Sequence, residues 1–459
     1  MTAKIFLRNL RRGLGSAIVE LHTNPNHIKY KAIVLRCCLK DIAYDTQSEG
    51  TKGFYLYTAI RALEAEDEFE DIIINAFMKR LEIRLFHQLA DILCLYIGDG
   101  SEKAENAFNA KYRALFEQLS TQRTFPHKYC EREQFEYLMI CKVDNYNWQG
   151  FKECITDAGS ILIKRNDDVC NSYDWFLCRC ENIFGKKRVT QYFTAVSEKS
   201  PEVKAFVAAN SELENTREGH LRTEQTVTLQ SYIERAKELE NDTSPYAKMH
   251  SVAVRLLRHA TQDDLIELIA VIANEQSDKI RAYLLHIFRR VDFPADIDML
   301  IKYAESNCEL LQTNAVEALK RFEDPRIHDL AVTFIAAGNT SDGLPLLKKN
   351  WRKQDEPLIR EHVLLSSKVS HDLQMDILDI YSQHRSKSCG DILEHIYRNG
   401  ECAYCRYGIV SAMRKNRVLS EKILNECLYD SYDKTRKLAN RIKRKYDNLC
   451  GMPKHSPTV

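Results

Sequence analysis

Turn-forming residues are scarce in this chain. Glycine accounts for 16 and proline for 10 of the 459 residues, which is about half of the usual share or less. An all-β protein needs a turn after each short strand, and collagen or low-complexity segments need far more of both residues. Because 44% of the residues are hydrophobic and 29% are charged, the composition favours a long, folded, helical protein.

Long hydrophobic runs and the common enzyme motifs are also missing. No stretch reaches the roughly 18 apolar residues that favour a membrane-spanning helix, and the first residues lack the apolar core of a secretory signal. The sequence has no Walker loop and no GxGxxG, HExxH or GxSxG motif. We therefore expect a cytoplasmic protein with no cofactor and no membrane contact, and a binding protein is favoured over an enzyme.

Cysteine, in contrast, is abundant, with 15 residues. In a reducing compartment most of these side chains act as small apolar groups in the core. Cys402 and Cys405 have a metal-like spacing, but zinc needs about four ligands and a second Cys-x-x-Cys is absent. We expect both to pack in and before a helix, with no metal. The weaker alternative is a zinc site completed from Cys389, His395 and Cys427.

Helix signals cover most of the chain. Five prolines follow a polar residue in a pattern typical of helix starts, namely Pro25, Pro201, Pro245, Pro325 and Pro357. Thr261 and Asp264 have the spacing of a capping box in front of Leu265. No persuasive alternating strand pattern is present, so the sequence predicts an all-α fold.

The C-terminal half contains a weak internal repeat. Apolar residues recur at positions 0, +4, +5 and +8, as in Ile280, Leu284, Leu285 and Phe288, and units start at residues 252, 280, 311, 359, 405 and 435. The starts are irregularly spaced. Either several repeats are degenerate, or these starts include both first and second helices of the helix pairs.

Charged flanks make this repeat more specific. An Asp-x-x-Arg opening ends at Arg281 and again at Arg436, and Arg360 and Arg406 occupy the same position in their units. The pattern resembles HEAT repeats, an armadillo-type family. The resemblance implies an α-solenoid, a superhelix of stacked helix pairs, in which these four arginines tie successive repeats together.

The same signals predict the domain organisation. Residues 1–208 form a helical N-terminal region, which either continues the solenoid in divergent form or follows another register. Residues 209–244 form a polar linker, residues 245–450 the HEAT-like repeats, and residues 451–459 a disordered tail.

A basic helix is predicted near the C-terminus. Leu438, Ile442 and Tyr446 repeat every four residues, which predicts an apolar stripe. The basic residues around it are Lys434, Arg436, Lys437, Arg441, Lys443, Arg444 and Lys445. They form either a phosphate-contacting surface or the polar outer face of a capping repeat. Smaller basic clusters, such as Arg289–Arg290, occur elsewhere.

The segment around Gly50 and Gly53 is a candidate binding loop. Its polar and aromatic residues are Asp45, Gln47, Glu49, Tyr55 and Tyr57. Loops on a rigid scaffold often carry function, although this segment also fits a plain helix–helix connection. No nucleophile and base stand together in it, so binding is favoured over catalysis.

These observations lead to a functional expectation. The protein is predicted to be a non-catalytic α-solenoid scaffold that binds a protein partner on its concave surface. The alternative is a nucleic-acid-binding protein with basic ends, since residues 1–60 hold nine basic and four acidic residues and residues 411–450 hold eleven and five. A DNA-repair role belongs to this alternative, because some HEAT-like solenoids are DNA glycosylases and Trp351 lies between Lys349 and Arg352.

Overall fold

The structure, a computed structural model, describes residues 1–79, 82–121, 128–165, 173–210, 227–241, 245–366 and 369–449. Helices are the regular elements throughout these residues, and an isolated bridge between Val369 and Gly400 is the β-type pairing among them. The predicted all-α fold is confirmed.

Most of the predicted helix starts are observed. Pro201, Pro245, Pro325 and Pro357 lie in the first turn of a helix, where the missing proline N–H costs no hydrogen bond. Pro25 instead precedes a short 3₁₀ helix, His27–Tyr30. The Thr261 hydroxyl and the Asp264 carboxylate form the predicted capping box.

The chain divides into two compact units. Unit 1 comprises Met1–Thr223, Cys402–Tyr404 and Glu421–Val459, and unit 2 comprises Glu224–Glu401 and Cys405–Ser420. The sequence had assigned residues up to 450 to the repeat region, whereas Glu421–Val459 group with the first unit. The division crosses the start of one helix, Ala403–Asn416.

The helices of unit 1 come from both ends of the sequence. They are α1 (Ala3–Arg11), α2 (Gly15–Thr23), α3 (Lys31–Cys38), α4 (Thr46–Glu49), α5 (Gly53–Ala62), α6 (Glu66–Phe77), α7 (Ile83–Gly98), α8 (Glu102–Thr121), α9 (Lys128–Arg165), α10 (Asp174–Phe184), α11 (Lys186–Val196), α12 (residues 201–210), α25 (Glu421–Cys427) and α26 (Asp433–Leu449). The helix α9 is interrupted at Asn147, whose φ is 54°.

The helices of unit 2 follow one another along the chain. They are α13 (Leu229–Glu238), α14 (Pro245–Leu256), α15 (Gln262–Asn274), α16 (Asp278–Leu285), α17 (Asp298–Ala304), α18 (Glu309–Leu319), α19 (Pro325–Ala336), α20 (Thr340–Asn350), α21 (Glu356–Leu365), α22 (His371–Gln383), α23 (Gly390–Asn399) and α24 (Ala403–Asn416). Short 3₁₀ helices lie at Leu239–Asn241, His286–Arg289, Lys353–Asp355 and Lys387–Cys389.

In unit 1, helices from the beginning and the end of the described chain pack together. The helix α2 contacts α25, and α25 contacts α26. Gly15 makes this approach possible, because a Cβ at that position would lie 1.7 Å from the Glu426 carbonyl oxygen. Gly13 adopts a φ of 69°, and its carbonyl accepts a 2.9 Å hydrogen bond from the Ser431 amide. The two glycines therefore join distant parts of the sequence.

Unit 2 repeats a contact pattern between its helices. The helix α16 contacts α18, α18 contacts α20, and α20 contacts α22, while α19 contacts α21 and α21 contacts α23. Each even-numbered helix in this series therefore packs on the next even-numbered helix, and α19, α21 and α23 do the same. The residues predicted to start repeats lie on α14, α16, α18, α24 and α26, but residue 359 lies on α21. The predicted repeat starts therefore combine helices from the two series. They also omit α20, which contains Pro345.

A buried asparagine at a helix end links neighbouring segments of unit 2. The Asn416 amide donates 2.8 Å hydrogen bonds to the carbonyls of Ala412 and Tyr381, and its oxygen accepts from the Ser386 amide at 2.7 Å. Asn350 makes the equivalent three bonds, with Leu346, Phe322 and Asp324. Because buried backbone groups need partners, these two asparagines replace the bonds that the turns cannot supply.

Candidate functional site

The predicted basic helix exists as α26. Leu438 and Ile442 are buried on its inner face, which confirms the predicted apolar stripe in the residues whose side chains are described. Lys434, Lys437, Arg441, Arg444 and Lys445 are exposed and recur at intervals of three or four, so they share one face of the helix. Lys443 is also exposed, but it lies away from that face, at the opposite edge of the exposed surface of the helix.

Two of these basic groups have an acidic partner: Arg436 and Lys437 form ion pairs with Asp433, at 3.5 Å and 2.7 Å. Among the described residues, the other five have none: Lys434, Arg441, Lys443, Arg444 and Lys445. Like charges at this spacing destabilise a helix by about 0.2–0.5 kcal/mol per pair, so the face carries an electrostatic cost that an anionic ligand would relieve.

Arg436 differs from the other basic residues of α26. It donates to the carbonyls of Asp430 and Ser431, at 2.7 Å and 2.8 Å, and its guanidinium lies 4.4 Å from the centre of the Phe54 ring. Burial lowers the pKa of Arg436. Its position is that of a residue that anchors α26 to the rest of unit 1.

The first helix adds exposed positive charge to the same unit. Lys4, Arg8 and Arg11 on α1 are exposed. The first basic end and the part of the second that begins at Glu421 therefore belong to one unit, although they lie far apart in the sequence.

The predicted binding loop is largely internal. Glu49 is buried, and its carboxylate accepts from the amides of Asp45 at 3.1 Å and Ala403 at 2.9 Å. Lys52, also buried, lies 3.6 Å from the same carboxylate. Asp45 caps α4 through the Gln47 amide, at 3.1 Å. These bonds hold the loop within unit 1.

The two tyrosines of the loop are also buried. The Tyr55 hydroxyl donates to the Leu14 carbonyl at 2.8 Å, and the Tyr57 hydroxyl donates to Asp99 at 2.8 Å. Gln47 is exposed. Gln47 is therefore the most accessible to a ligand of the predicted loop residues.

Unit 2 contains a polar pocket of about 440 Å³. It is lined by His250, His286, Arg289, Arg290, Glu317 and Arg321. Arg289 lies 3.6 Å from Glu317, and Arg321 lies 2.7 Å from Asp292. Three arginines and two carboxylates give this region a formal charge of +1 when both histidines are neutral.

Hydrogen bonds fix the protons of the two histidines. Arg290 donates to His250 Nε2 at 3.0 Å, so the proton of His250 is on Nδ1, from which it donates to His286 Nε2 at 3.3 Å. Burial, followed by the charge of Arg289, lowers the pKa of His286 to about 4. His286 is therefore neutral near pH 7, and His250 orients Arg290.

The four predicted stacking arginines have different partners. Arg360 on α21 bonds to Asp391 on α23 at 2.7 Å, 31 residues further along the chain. Arg281 bonds within its own turn to Asp278 at 2.6 Å, and Arg436 anchors α26. Arg406 is buried. Arg326, which the sequence did not single out, reaches back to Asp298 at 2.6 Å and Asp296 at 3.1 Å.

Cys402 and Cys405 are both buried at the start of α24, the first in unit 1 and the second in unit 2. No disulfide joins the cysteines in the described residues. Cys389 is buried in unit 2, and its thiol donates to the Ser386 carbonyl at 3.0 Å. Cys427 is buried in unit 1, and His395 Nε2 lies 3.2 Å from the Ser366 carbonyl oxygen.

Trp351 packs in unit 2, with its ring stacked on His384 at a centroid distance of 5.2 Å. Its neighbour Lys349 donates to the Arg321 carbonyl at 2.6 Å. Packing accounts for this aromatic pair.

Sequence reasoning identified the arginine pair of the pocket but not its histidines. His250 and His286 are 36 positions apart and lie on different helices. The signal available was weak, since each histidine stands alone in the sequence beside apolar residues.

Comparison with protein-family models, curated proteins and solved structures finds no match to this chain. Among the described helices, none has both the length and the apolar character needed to cross a membrane.

Proposed function

We propose that this protein is a non-catalytic binding protein, a HEAT-like α-solenoid whose partner is a nucleic acid. The observation that carries the proposal is the exposed surface of α26, where five basic side chains have no acidic partner among the described residues. Lysine and arginine gain affinity for phosphate by releasing counterions from the nucleic acid. The solenoid arrangement is supported by the successive packing of α16, α18, α20 and α22.

The concentration of basic residues on α26 favours it as the contact surface. In unit 2, Arg326 pairs with Asp298, and the half-buried Lys348 pairs with Asp379 at 2.6 Å. The arginines of the polar pocket are likewise occupied by Glu317, Asp292 and His250. Among the described residues, the unpaired basic residues of α26 lie instead within one short stretch, residues 434–445, and this density of positive charge favours binding to a phosphate backbone.

A salt-dependent titration tests the proposal. Fluorescence anisotropy of a labelled duplex of about 20 base pairs, and of its single strand, is followed in 50 mM and 200 mM salt. Five phosphate contacts predict a loss of affinity of roughly 500-fold between these salt concentrations. Replacing Arg441, Arg444 and Lys445 by glutamate should remove about three units from the logarithmic salt slope.

A matched variant separates local contacts from net charge. It reverses Arg113, Lys199 and Lys204, three exposed basic residues elsewhere in unit 1, and should keep most of the affinity. No binding by the unaltered protein in 50 mM salt, or equal losses in the two variants, would reject α26 as a nucleic-acid surface. Capture of a protein partner that survives the α26 reversal would instead support the scaffold function expected from the sequence.

A further inference from the structure

Three soft metal ligands meet in unit 2, on α22 and α24. The Cys405 sulfur lies 3.4 Å from His371 Nδ1 and 3.7 Å from the Met375 sulfur. His371 and Met375 are four residues apart on α22, so both side chains leave the same face of that helix. We propose that Cys405, His371 and Met375 form a binding site for monovalent copper.

The distances between the three atoms fit a metal site. Bonds from sulfur and imidazole nitrogen to a first-row metal are about 2.3 Å and 2.0 Å long. At a tetrahedral angle, such bonds place sulfur and nitrogen about 3.5 Å apart and two sulfurs about 3.8 Å apart. The observed 3.4 Å and 3.7 Å therefore accommodate an ion with little movement of the helices.

The donor set selects the metal. Thiolate and thioether are soft ligands that favour Cu(I), while zinc sites use cysteine, histidine and carboxylate ligands. Met375 therefore distinguishes the two metals, because its thioether would contribute to a copper site and not to a zinc site.

The surroundings suit an ion better than a substrate. Cys405 is 1% exposed, so an organic substrate could not reach its sulfur. His371 is exposed, and a single ion could enter beside its ring. Cys405 is the third residue of α24, and the positive end of the helix dipole stabilises a thiolate there.

Binding involves one proton. Cu(I) forms bonds with the Cys405 sulfur, the His371 Nδ1 lone pair and the Met375 sulfur, and the thiol proton is released to solvent. His371 must then hold its own proton on Nε2. No electron is transferred, because the ion enters and stays as Cu(I).

An anaerobic titration of the full chain with Cu(I), in competition with a chromogenic chelator, tests the site. The titration uses a Cys178→Ser background, because Cys178 is an exposed cysteine that could bind copper by itself. One copper should bind per chain. His371→Ala and Met375→Leu should each weaken binding at least about tenfold, whereas His259→Ala, at another exposed histidine of unit 2, should not.

X-ray absorption of the bound copper should show two sulfur ligands and one nitrogen, with one sulfur lost in Met375→Leu. Both substitutions involve side chains that are not fully buried, and circular dichroism checks that the variants are folded. Copper binding unaffected by both substitutions would overturn the site. Retention of one zinc, lost in His371→Ala but kept in Met375→Leu, would overturn the copper assignment.

Discussion

At the scale of single residues, the most informative groups are carboxylates that the fold keeps from water. Asp376 on α22 is one of them: burial raises its pKa to about 7. Lys320 opposes this increase, while Asp372, Asp379 and Glu317 add to it. Because the pKa is higher in the folded than in the unfolded chain, the folded state loses stability as the pH rises from about 4 to about 7.

Replacement of Asp376 by asparagine should remove this pH dependence. Relative to the unaltered protein, we expect Asp376→Asn to stabilise unit 2 by about 2 kcal/mol more at pH 8 than at pH 5. Hydrogen exchange of peptides from α22, corrected for intrinsic exchange rates, measures this difference. Asp263→Asn, at an exposed carboxylate of α15, is the control, and equal effects of Asp376→Asn at both pH values would contradict the prediction.

Residue types and spacing predicted part of the candidate site. The basic face of α26 was predictable because Lys434, Lys437 and Arg441 follow the helical period. The burial of Glu49 and Lys52 was not, since their partners include the backbone of Ala403, Arg11 and Ile42. A charged residue in a glycine-containing segment gives no local sign that distant backbone groups will surround it.

At the scale of helices, local chemistry was a good guide to where elements begin. Asp324 and Thr261 form side-chain caps at helix starts, and caps depend on residues close in sequence. The sequence was a poorer guide to which helices pack on one another. Asn350 and Asn416 connect segments about 30 residues apart, and an isolated asparagine in a sequence does not reveal such bonds.

The asparagine at the end of α24 should be among the more sensitive positions of unit 2. Asn416→Ala removes three buried hydrogen bonds and leaves backbone groups without partners, so we expect a loss of about 3 kcal/mol. Asn274→Ala is the matched control, because the Asn274 amide is exposed and its side chain makes the same bond to the carbonyl four residues earlier, at 2.9 Å.

The control should change stability by less than about 0.5 kcal/mol. Hydrogen exchange of peptides that contain Tyr381 and Ser386 reports the loss in Asn416→Ala. A loss of stability in Asn416→Ala as small as that in the control would show that water replaces the hydrogen bonds of Asn416 at no cost in free energy.

At the scale of the whole molecule, the main feature is that unit 1 is discontinuous in sequence. It includes α25 and α26, which follow the last helix of unit 2. Periodicity predicted α26 but not this grouping, because a periodic pattern identifies an apolar face and not what covers it. Gly13 and Gly15 permit the close approach of another backbone segment, but in the sequence they are equally consistent with a kink in a helix.

Removal of residues 421–459 should therefore weaken the beginning of the fold. We expect faster hydrogen exchange in α2 and α5, with unchanged exchange in α18 of unit 2. Gly15→Ala in the full chain should reproduce the effect in α2, because the added Cβ collides with the Glu426 carbonyl. Unchanged exchange in α2 after the truncation would mean that α25 contributes no stability to unit 1.

The hydrogen bond between Gly13 and Ser431 also sets an order of events during synthesis. The two residues are 418 positions apart (431 − 13), and ribosomes add about 5–20 residues per second. The surface of α2 that α25 covers is therefore exposed for roughly 20–80 s in each nascent chain. During that interval all of unit 2 can fold, whereas unit 1 waits for its last helices and is the part that a chaperone would need to protect.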